Sequence, residues 1–297
     1  QGVKVHLVER SDRLGGNLWH LRHLVDWEIM DATGDDDGRA SGSLVWRDPR
    51  SLLKELVARV DTHRDIRVHL ETEFVESAGF AGNYTSELRG PQGTFEIQHG
   101  ATIVATGGSE YRGPEYGYGT DPRIVTQQEF EEMLAQGEHL PQSVVMILCV
   151  GPAERYCSRI CCTTAMKNVL ALKAANPEAQ AMVIYHDIRT YGFKERLYQE
   201  ARRQGTLFVQ YDFDRKPEVT ITRGALRVSV WEASLGEEVV VEPDLVVLGM
   251  PIVPAEGADD LAARLKVSTD LDGFFLEAHV KLRPVDFASD GLFLAGM

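Results

Sequence analysis

Four cysteines, the full complement of this 297-residue chain, fall between Cys149 and Cys162. Thiols that only fill a core are scattered, because each is placed by its own packing site. Four of them spread over one turn and the start of a helix can converge as thiolates on a metal centre. Three readings stand side by side. In the first, Cys149 is a buried residue of an apolar strand and Cys157, Cys161 and Cys162 are incidental, which leaves their grouping unexplained. In the second the four hold zinc, although zinc sites favour paired C-x2–4-C knuckles and this spacing is a seven-residue gap, an x3 step and an adjacent pair. In the third they hold an iron–sulfur cubane, which accepts irregular spacing because each iron takes its own thiolate. Spacing leans towards the third.

The surroundings are those of a nucleotide-binding unit. Residues 144–150 (VVMILCV) form an unbroken apolar run, the pattern of a parallel strand buried on both faces. Residues 165–175 read as a helix stopped by Asn176 and Pro177, and 181–186 as a second apolar strand ending at Asp187. In such a strand, helix, strand unit the first turn is where a G-x-G-x-x-G loop cradles phosphate. Here it holds Gly151, Pro152 and then cysteines, so a cluster site stands where nicotinamide-nucleotide phosphates would lie.

The first half points to a different cofactor. Residues 3–9 read as a strand ending in Glu9, with Gly15 and Gly16 following. A carboxylate at the end of the second strand of a dinucleotide fold accepts hydrogen bonds from the ribose hydroxyls, and paired glycines let backbone approach a bulky cofactor. The first strand and phosphate loop of this fold are expected upstream of Gln1, and both ends of the chain read as cut from a longer protein. An amphipathic helix is expected over 50–60, with Leu52, Leu53, Leu56, Val57 and Val60 on one face. Short strands follow at 66–70, 73–76, 84–88, 94–98 and 101–107, three of them as an antiparallel meander. The last ends in Ala105, Thr106 and Gly107, where bulky side chains would collide with a flavin beside the strand end. Acid, glycine pair, meander and Ala-Thr-Gly, in that order, point to FAD.

Residues 19–40 show no clear period. Asp35, Asp36, Asp37 and Gly38 read as an exposed loop, and His20 and His23 could share a helical face, as ordinary residues more simply than as metal ligands. After a helix at 126–134 and the cysteine unit come a helix at 193–204 and strands at 206–211, 218–222, 226–231, 238–242 and 244–249. The second half thus repeats the plan of the first.

Charge and hydropathy exclude other classes. With 45 acidic against 31 basic residues the net charge is -14, and no basic stripe is present to neutralise phosphates, so non-specific nucleic-acid binding is excluded. No apolar run approaches the length of a membrane span and no signal peptide opens the chain, so a reducing cytoplasm is the expected compartment. The sequon at Asn83 is then a chance match.

At residues 156–162 (YCSRICC) and 187–192 (DIRTYG) the sequence resembles the A subunit of heterodisulfide reductase, and the resemblance extends through 15–18 (GGNL), 105–108 (ATGG), 211–219 and 273–286. It implies an α/β fold, a two-dinucleotide-binding-domain (thioredoxin-reductase-like) flavoprotein with a [4Fe-4S] cluster in the inserted Rossmann-like domain. The implied domains are an FAD-binding domain at 1–140, the inserted domain at 141–268 and a return to the first at 269–297. Cys149, Cys157, Cys161 and Cys162 would be the cluster ligands, and Glu9, Arg10, Gly15, Gly16, Asn17, Val75, Ala105, Thr106 and Gly107 would contact FAD. Lys167 would approach the flavin, where a cation stabilises the anionic reduced form. The implied function is that of an oxidoreductase component passing or bifurcating electrons, in complexes with other such subunits and with hydrogenase or formate dehydrogenase type donors. The ferredoxin-type C-x2-C-x2-C runs that flank this core in relatives are absent from the chain. Two rivals remain: a thioredoxin-reductase-like pyridine nucleotide-disulfide oxidoreductase in which two cysteines form a redox disulfide, and a non-catalytic scaffold stabilised by zinc.

Overall fold

The computed structural model describes residues 2–31, 41–137 and 139–296; the acidic turn at 35–37 lies outside them. In chain order, the first elements are β1 (Val5–Val8), β2 (Leu24–Asp31), β3 (Ser41–Arg47), α1 (Pro49–Asp61), β4 (Ile66–His69), β5 (Glu73–Phe80), β6 (Asn83–Gly90), β7 (Gly93–His99), β8 (Thr102–Val104) and β9 (Gly108–Glu110). Next come β10 (Ile124–Thr126), α2 (Gln127–Gln136), β11 (Ser143–Leu148), α3 (Cys161–Ala175), β12 (Gln180–Tyr185), α4 (Glu195–Arg203) and β13 (Leu207–Gln210). The last are β14 (Glu218–Thr222), β15 (Ala225–Glu232), β16 (Glu237–Val241), β17 (Leu245–Gly249), β18 (Ile252–Pro254), α5 (Ala258–Leu265) and β19 (Leu292–Leu294). Chain contacts divide them into a first unit, Gln1–Trp19, Arg50–Ser109 and Ile252–Met297, and a second, His20–Pro49 and Glu110–Pro251.

The second unit is built on a five-stranded parallel sheet in the order β10-β17-β11-β12-β13. Its strands read as unbroken apolar runs because both faces are covered. Along β11, Val144, Met146 and Leu148 enter one core and Val145 and Ile147 the other. The first core is closed by α2 and α3, and Val25 of β2 and Leu44 of β3 pack against it. The second core includes Leu226, Val228 and Val230 of β15, the middle strand of the antiparallel sheet β14-β15-β16. Helix α2 starts at a capping box, in which the Thr126 hydroxyl accepts from the Glu129 N–H and the Glu129 carboxylate from the Thr126 N–H, and stops at Gly137 in the left-handed region. Helix α3 is apolar nearly all round and is correspondingly buried along most of its length.

The first unit pairs β1 with β4 and β8 with β19 in parallel, and carries the meander β5-β6-β7. Its core gathers Val104, Ala258, Ala262, Leu265, Phe275, Phe287 and Leu292. Two expectations are corrected here. The stretch without clear period contains an antiparallel hairpin, β2 with β3, so His20 and His23 share no helix; His23 immediately precedes β2. Helix α3 begins at Cys161, four residues before the expected start, because burial of Cys161 and Cys162 outweighs the weak helix preference of Thr163 and Thr164.

Candidate functional site

The order of the second unit's sheet reverses at β11, with β12 and β13 on one side and β17 and β10 on the other. Such a switch point opens a crevice beyond the carboxyl ends of the strands, the ligand position of open α/β sheets. Cys149 is the first residue past the end of β11, and its φ of 61° lies in the left-handed region that favours glycine. A non-glycine residue held there costs of order 1 kcal/mol, so the fold spends energy to present a side chain at the crevice. Gly151, at φ 57°, opens a 3-10 turn through Glu154, and the chain reaches Cys157 and then α3, whose first two residues are Cys161 and Cys162.

Strand β12 supplies the opposite wall. The backbone carbonyl oxygen of Asp187, just past its end, lies 3.9 Å from Cys149 Sγ and 3.7 Å from Cys162 Sγ. The backbone N–H of Arg159, another residue with left-handed φ (62°), donates to Cys157 Sγ at 3.3 Å. All four thiols are free; Cys149 senses the charges of Cys157 and Cys162, and Cys161 those of the other three. Cys149 and Cys162 thus share the Asp187 carbonyl and Cys161 is bonded to Cys162, while Cys157 is held in the turn that leads into α3.

The thiols differ in acidity. Burial pushes Cys149 up, with the charges of Cys162 and Cys157 adding to it and backbone N–H groups of Asp187 and His186 opposing. A hydrogen bond to Cys162 together with burial holds Cys161 well above the ordinary range. That same bond lowers Cys162 to about 7; burial opposes it, while the backbone N–H and guanidinium of Arg189 assist. Within the vicinal pair Cys162 is therefore the more acidic thiol and the readier thiolate donor. Among the described residues no three Cys, His, Asp or Glu side chains are gathered closely enough to hold a single ion.

Tyr211, 3% exposed, backs the site: its hydroxyl donates to the carbonyls of Leu148 (3.0 Å) and Cys149 (3.4 Å). Sequence reasoning missed this residue; an aromatic at the end of β13 was the available signal. Lys167, expected beside a flavin, is 7% exposed and its Nζ sits 2.6 Å from Glu131 Oε2. Glu131, which the sequence did not single out, also accepts the backbone N–H groups of Arg22 (2.6 Å) and His23 (2.9 Å) through Oε1.

In the first unit the expected flavin contacts fall at one end of β1 and β8. Asn17 Nδ2 donates to the Gly108 carbonyl at 2.8 Å, joining the double-glycine loop to the Ala-Thr-Gly end across 91 residues of sequence. Gly15 (φ 128°) is crowded: a Cβ there would come within 2.7 Å of Leu53 and Trp19. Gly16 (φ 48°) and Gly107 (φ 66°) are open and needed only for their backbone conformation. Close approach occurs instead at Gly108, where a Cβ would lie 2.4 Å from Ile252 and 2.7 Å from the Val253 carbonyl oxygen. The Glu9 carboxylate accepts from Ser11 N–H (2.8 Å) and Ser11 hydroxyl (2.6 Å), and Arg10 donates to the Glu256 carbonyl (3.0 Å). Val75 is the extra residue of a bulge between β5 and β6, in a segment that Thr72 N–H ties to the Glu9 carbonyl at 3.0 Å. Ala105 and Thr106 are exposed.

No family model matches the chain. The A subunit of the H2:CoB-CoM heterodisulfide, ferredoxin reductase of Methanothermobacter marburgensis is 36% identical over 228 residues, covering 68% of this chain and 34% of that protein. The A subunit of the ferredoxin:CoB-CoM heterodisulfide reductase of Methanosarcina acetivorans is 32% identical over 249 residues, with 68% and 31% covered. The chain thus spans about a third of the length of the curated relatives it matches. Among solved structures, thioredoxin reductase of T. acidophilum superposes with a TM-score of 0.56 at 13% identity, over 99% of this chain and 82% of that one. Thioredoxin reductase of Lactococcus lactis gives 0.55 at 13% identity, with 99% and 82% covered. Over two thirds of its length, then, this chain is a homologue of heterodisulfide reductase A subunits, and its α/β fold is that of the thioredoxin-reductase-like flavoproteins.

Proposed function

We propose that this chain is the FAD- and [4Fe-4S]-carrying electron-transfer part of a heterodisulfide-reductase-like oxidoreductase subunit, with FAD on the first unit and the cluster held by Cys149, Cys157, Cys161 and Cys162 on the second. The observation that carries this reading is four free thiols spaced around the switch point of a parallel sheet, where no glycine-rich phosphate loop is present. A cubane takes one thiolate at each of four irons and so suits thiols that stand apart, whereas a single zinc ion asks for convergence on one point. The cluster would supply one-electron chemistry and FAD one- or two-electron chemistry.

The chain's own residues have definite tasks in this reading. Cys161 and Cys162 would give up their thiol protons on ligation, Cys162 the more readily. The N–H of Arg159 then faces the Cys157 thiolate, and a hydrogen bond to sulfur raises the potential of a bound centre. Tyr211 fixes the strained carbonyl of Cys149. On the first unit, Asn17 and Gly108 pin the glycine loop that would pass the cofactor, Val75, Ala105, Thr106 and Gly107 would flank it, and Glu9 would exchange its Ser11 partners for ribose hydroxyls. Lys167 would reach a flavin only as half of its pair with Glu131.

Relatives are named as subunits of complexes that use H2, formate or ferredoxin, and membership of such a complex is inferred for this chain. No helix among the described residues is long and apolar enough to cross a membrane; the cytoplasm, which keeps thiols reduced, is the compartment that suits this site.

Iron, acid-labile sulfide, zinc and flavin per chain on anaerobically reconstituted protein test the reading. About four irons and four sulfides, lost or degraded in Cys161→Ala, are expected. Zinc alone, or a metal-free protein with a reversible disulfide, would overturn it in favour of the scaffold or the disulfide oxidoreductase.

A further inference from the structure

Around the cysteine site the chain reverses its sign. The whole carries a net charge of -14, yet residues 155–161 and 187–196 hold five cations (Arg155, Arg159, Arg189, Lys194, Arg196) against two acids, Asp187 and Glu195. Both acids are engaged. Asp187 accepts from Arg189 at 2.8 Å, and Glu195 accepts the Thr190 hydroxyl at 3.2 Å. Arg159 and Lys194 are exposed and have no acidic partner among the described residues.

The same two segments expose large apolar side chains. Ile160 is 41% exposed, Tyr191 63% and Phe193 76%, and the Arg196 guanidinium lies 5.8 Å from the Phe193 ring centre. Isolated apolar residues on a surface need no explanation. Two aromatics and an isoleucine among cations have the composition of an interface centre, where aromatics and Arg are enriched.

Both segments are tied to the thiols. Arg159 and Ile160 directly precede Cys161, and Arg159 holds Cys157 through its N–H while its left-handed φ is maintained. The carbonyl of Asp187 touches Cys149 and Cys162, and Arg189 senses the charges of Cys157 and Cys162.

We propose that Arg159–Ile160 and Arg189–Lys194 form the docking face for a small acidic electron-carrier protein. The inference rests on reading the cysteines as a redox centre, and it adds where and by what chemistry the carrier is received. The chain's net charge of -14 opposes such a carrier, so the local cations orient it as well as attract it. A nucleic acid or an anionic membrane is disfavoured by the shortness of the cationic patch and by the aromatics at its centre.

Binding of an oxidised acidic [2Fe–2S] ferredoxin to the anaerobically reconstituted chain, followed by calorimetry at low and high salt, tests the face, with iron per chain determined on every sample. Lys194→Glu combined with Arg159→Glu should weaken binding about tenfold or more, and raised salt should weaken it several-fold. Phe193→Ala should weaken it by a similar factor while iron content and melting temperature stay at parental values. Lys194→Glu alone, away from the thiols, should give an intermediate loss. Unchanged affinity in these variants, no binding by the iron-loaded parent, or equal binding of heparin or anionic vesicles would overturn the docking face. A chain without iron that binds the ferredoxin with the same variant dependence would uphold the face and overturn the cluster reading.

Discussion

Lys167 Nζ lies 2.6 Å from Glu131 Oε2, in a pair whose carboxylate is fully buried. The other carboxylate oxygen accepts two N–H groups from Arg22 and His23, at the base of the β2–β3 hairpin. One side chain therefore ties α2, α3 and the hairpin together, and α3 is the helix that begins with Cys161 and Cys162.

Removing Glu131 leaves the buried charge of Lys167 and two backbone donors without partners. Glu131→Ala should lower unfolding stability by about 3–5 kcal/mol, read from denaturant midpoints. Glu131→Gln with Lys167→Met should recover much of that loss, since a neutral side chain at 131 still accepts the N–H groups. Equal losses in the single and double variants would refute the account.

At Cys149 stability and ligation are separable. Cys149→Gly relieves the left-handed strain and should be as stable as the parent or about 1 kcal/mol more so, whereas Cys149→Ala keeps the strain and gains nothing. Both should lose iron alike under anaerobic reconstitution. Full iron in either would remove Cys149 from the ligand set.

Acid should destabilise the fold through histidines. Burial, aided by the charges of Lys167 and Arg22 and opposed by Glu131, lowers His23; burial and the neighbouring charges of Arg67 and of other histidines lower His6 and His69. A lowered folded-state value means that the unfolded chain binds protons first. Stability is therefore complete above pH ~6.5 and falls as pH drops below it. Denaturant midpoints at pH 7 and 5 should show the fall, and His23→Phe, which keeps the edge contact with Trp46, should flatten it.

The two adjacent glycines should respond differently. Gly15→Ala drives a methyl into Leu53 and Trp19, so it should lower both stability and flavin content, while Gly16→Ala meets open space and should cost about 1 kcal/mol from backbone conformation alone. Equal losses at the two positions would show that packing around Gly15 yields without cost.

What could be read from the chain follows from burial. Strands β11, β12 and β17 were legible because two covered faces demand an unbroken apolar run, and the meander because its faces alternate. The β2–β3 hairpin was missed although residues 25–29 alternate apolar and polar, since Asp26 and Glu28 interrupt the apolar count and the spacing of His20 and His23 also suits a helical face. The cysteines announced themselves by spacing. The Glu131–Lys167 pair did not, because a contact between two helices leaves no local pattern. Nor did Tyr211, whose role depends on where β13 ends beside β11. Gly108 stood next to the Ala-Thr-Gly motif, but its crowding comes from β18, far along the chain.

The interleaving of the two units sets the order in which the nascent chain can mature. Every strand of the second unit's parallel sheet has left the ribosome once β17 is made, so that sheet and its thiols can assemble early. The first unit cannot, for β8 waits on β19 and the core around Val104 waits on α5 and Phe287. During that interval the unpaired edges of β1, β4 and β8 are exposed to wrong partners. Synthesis therefore delivers the half that would hold the cluster before the half that would hold the flavin.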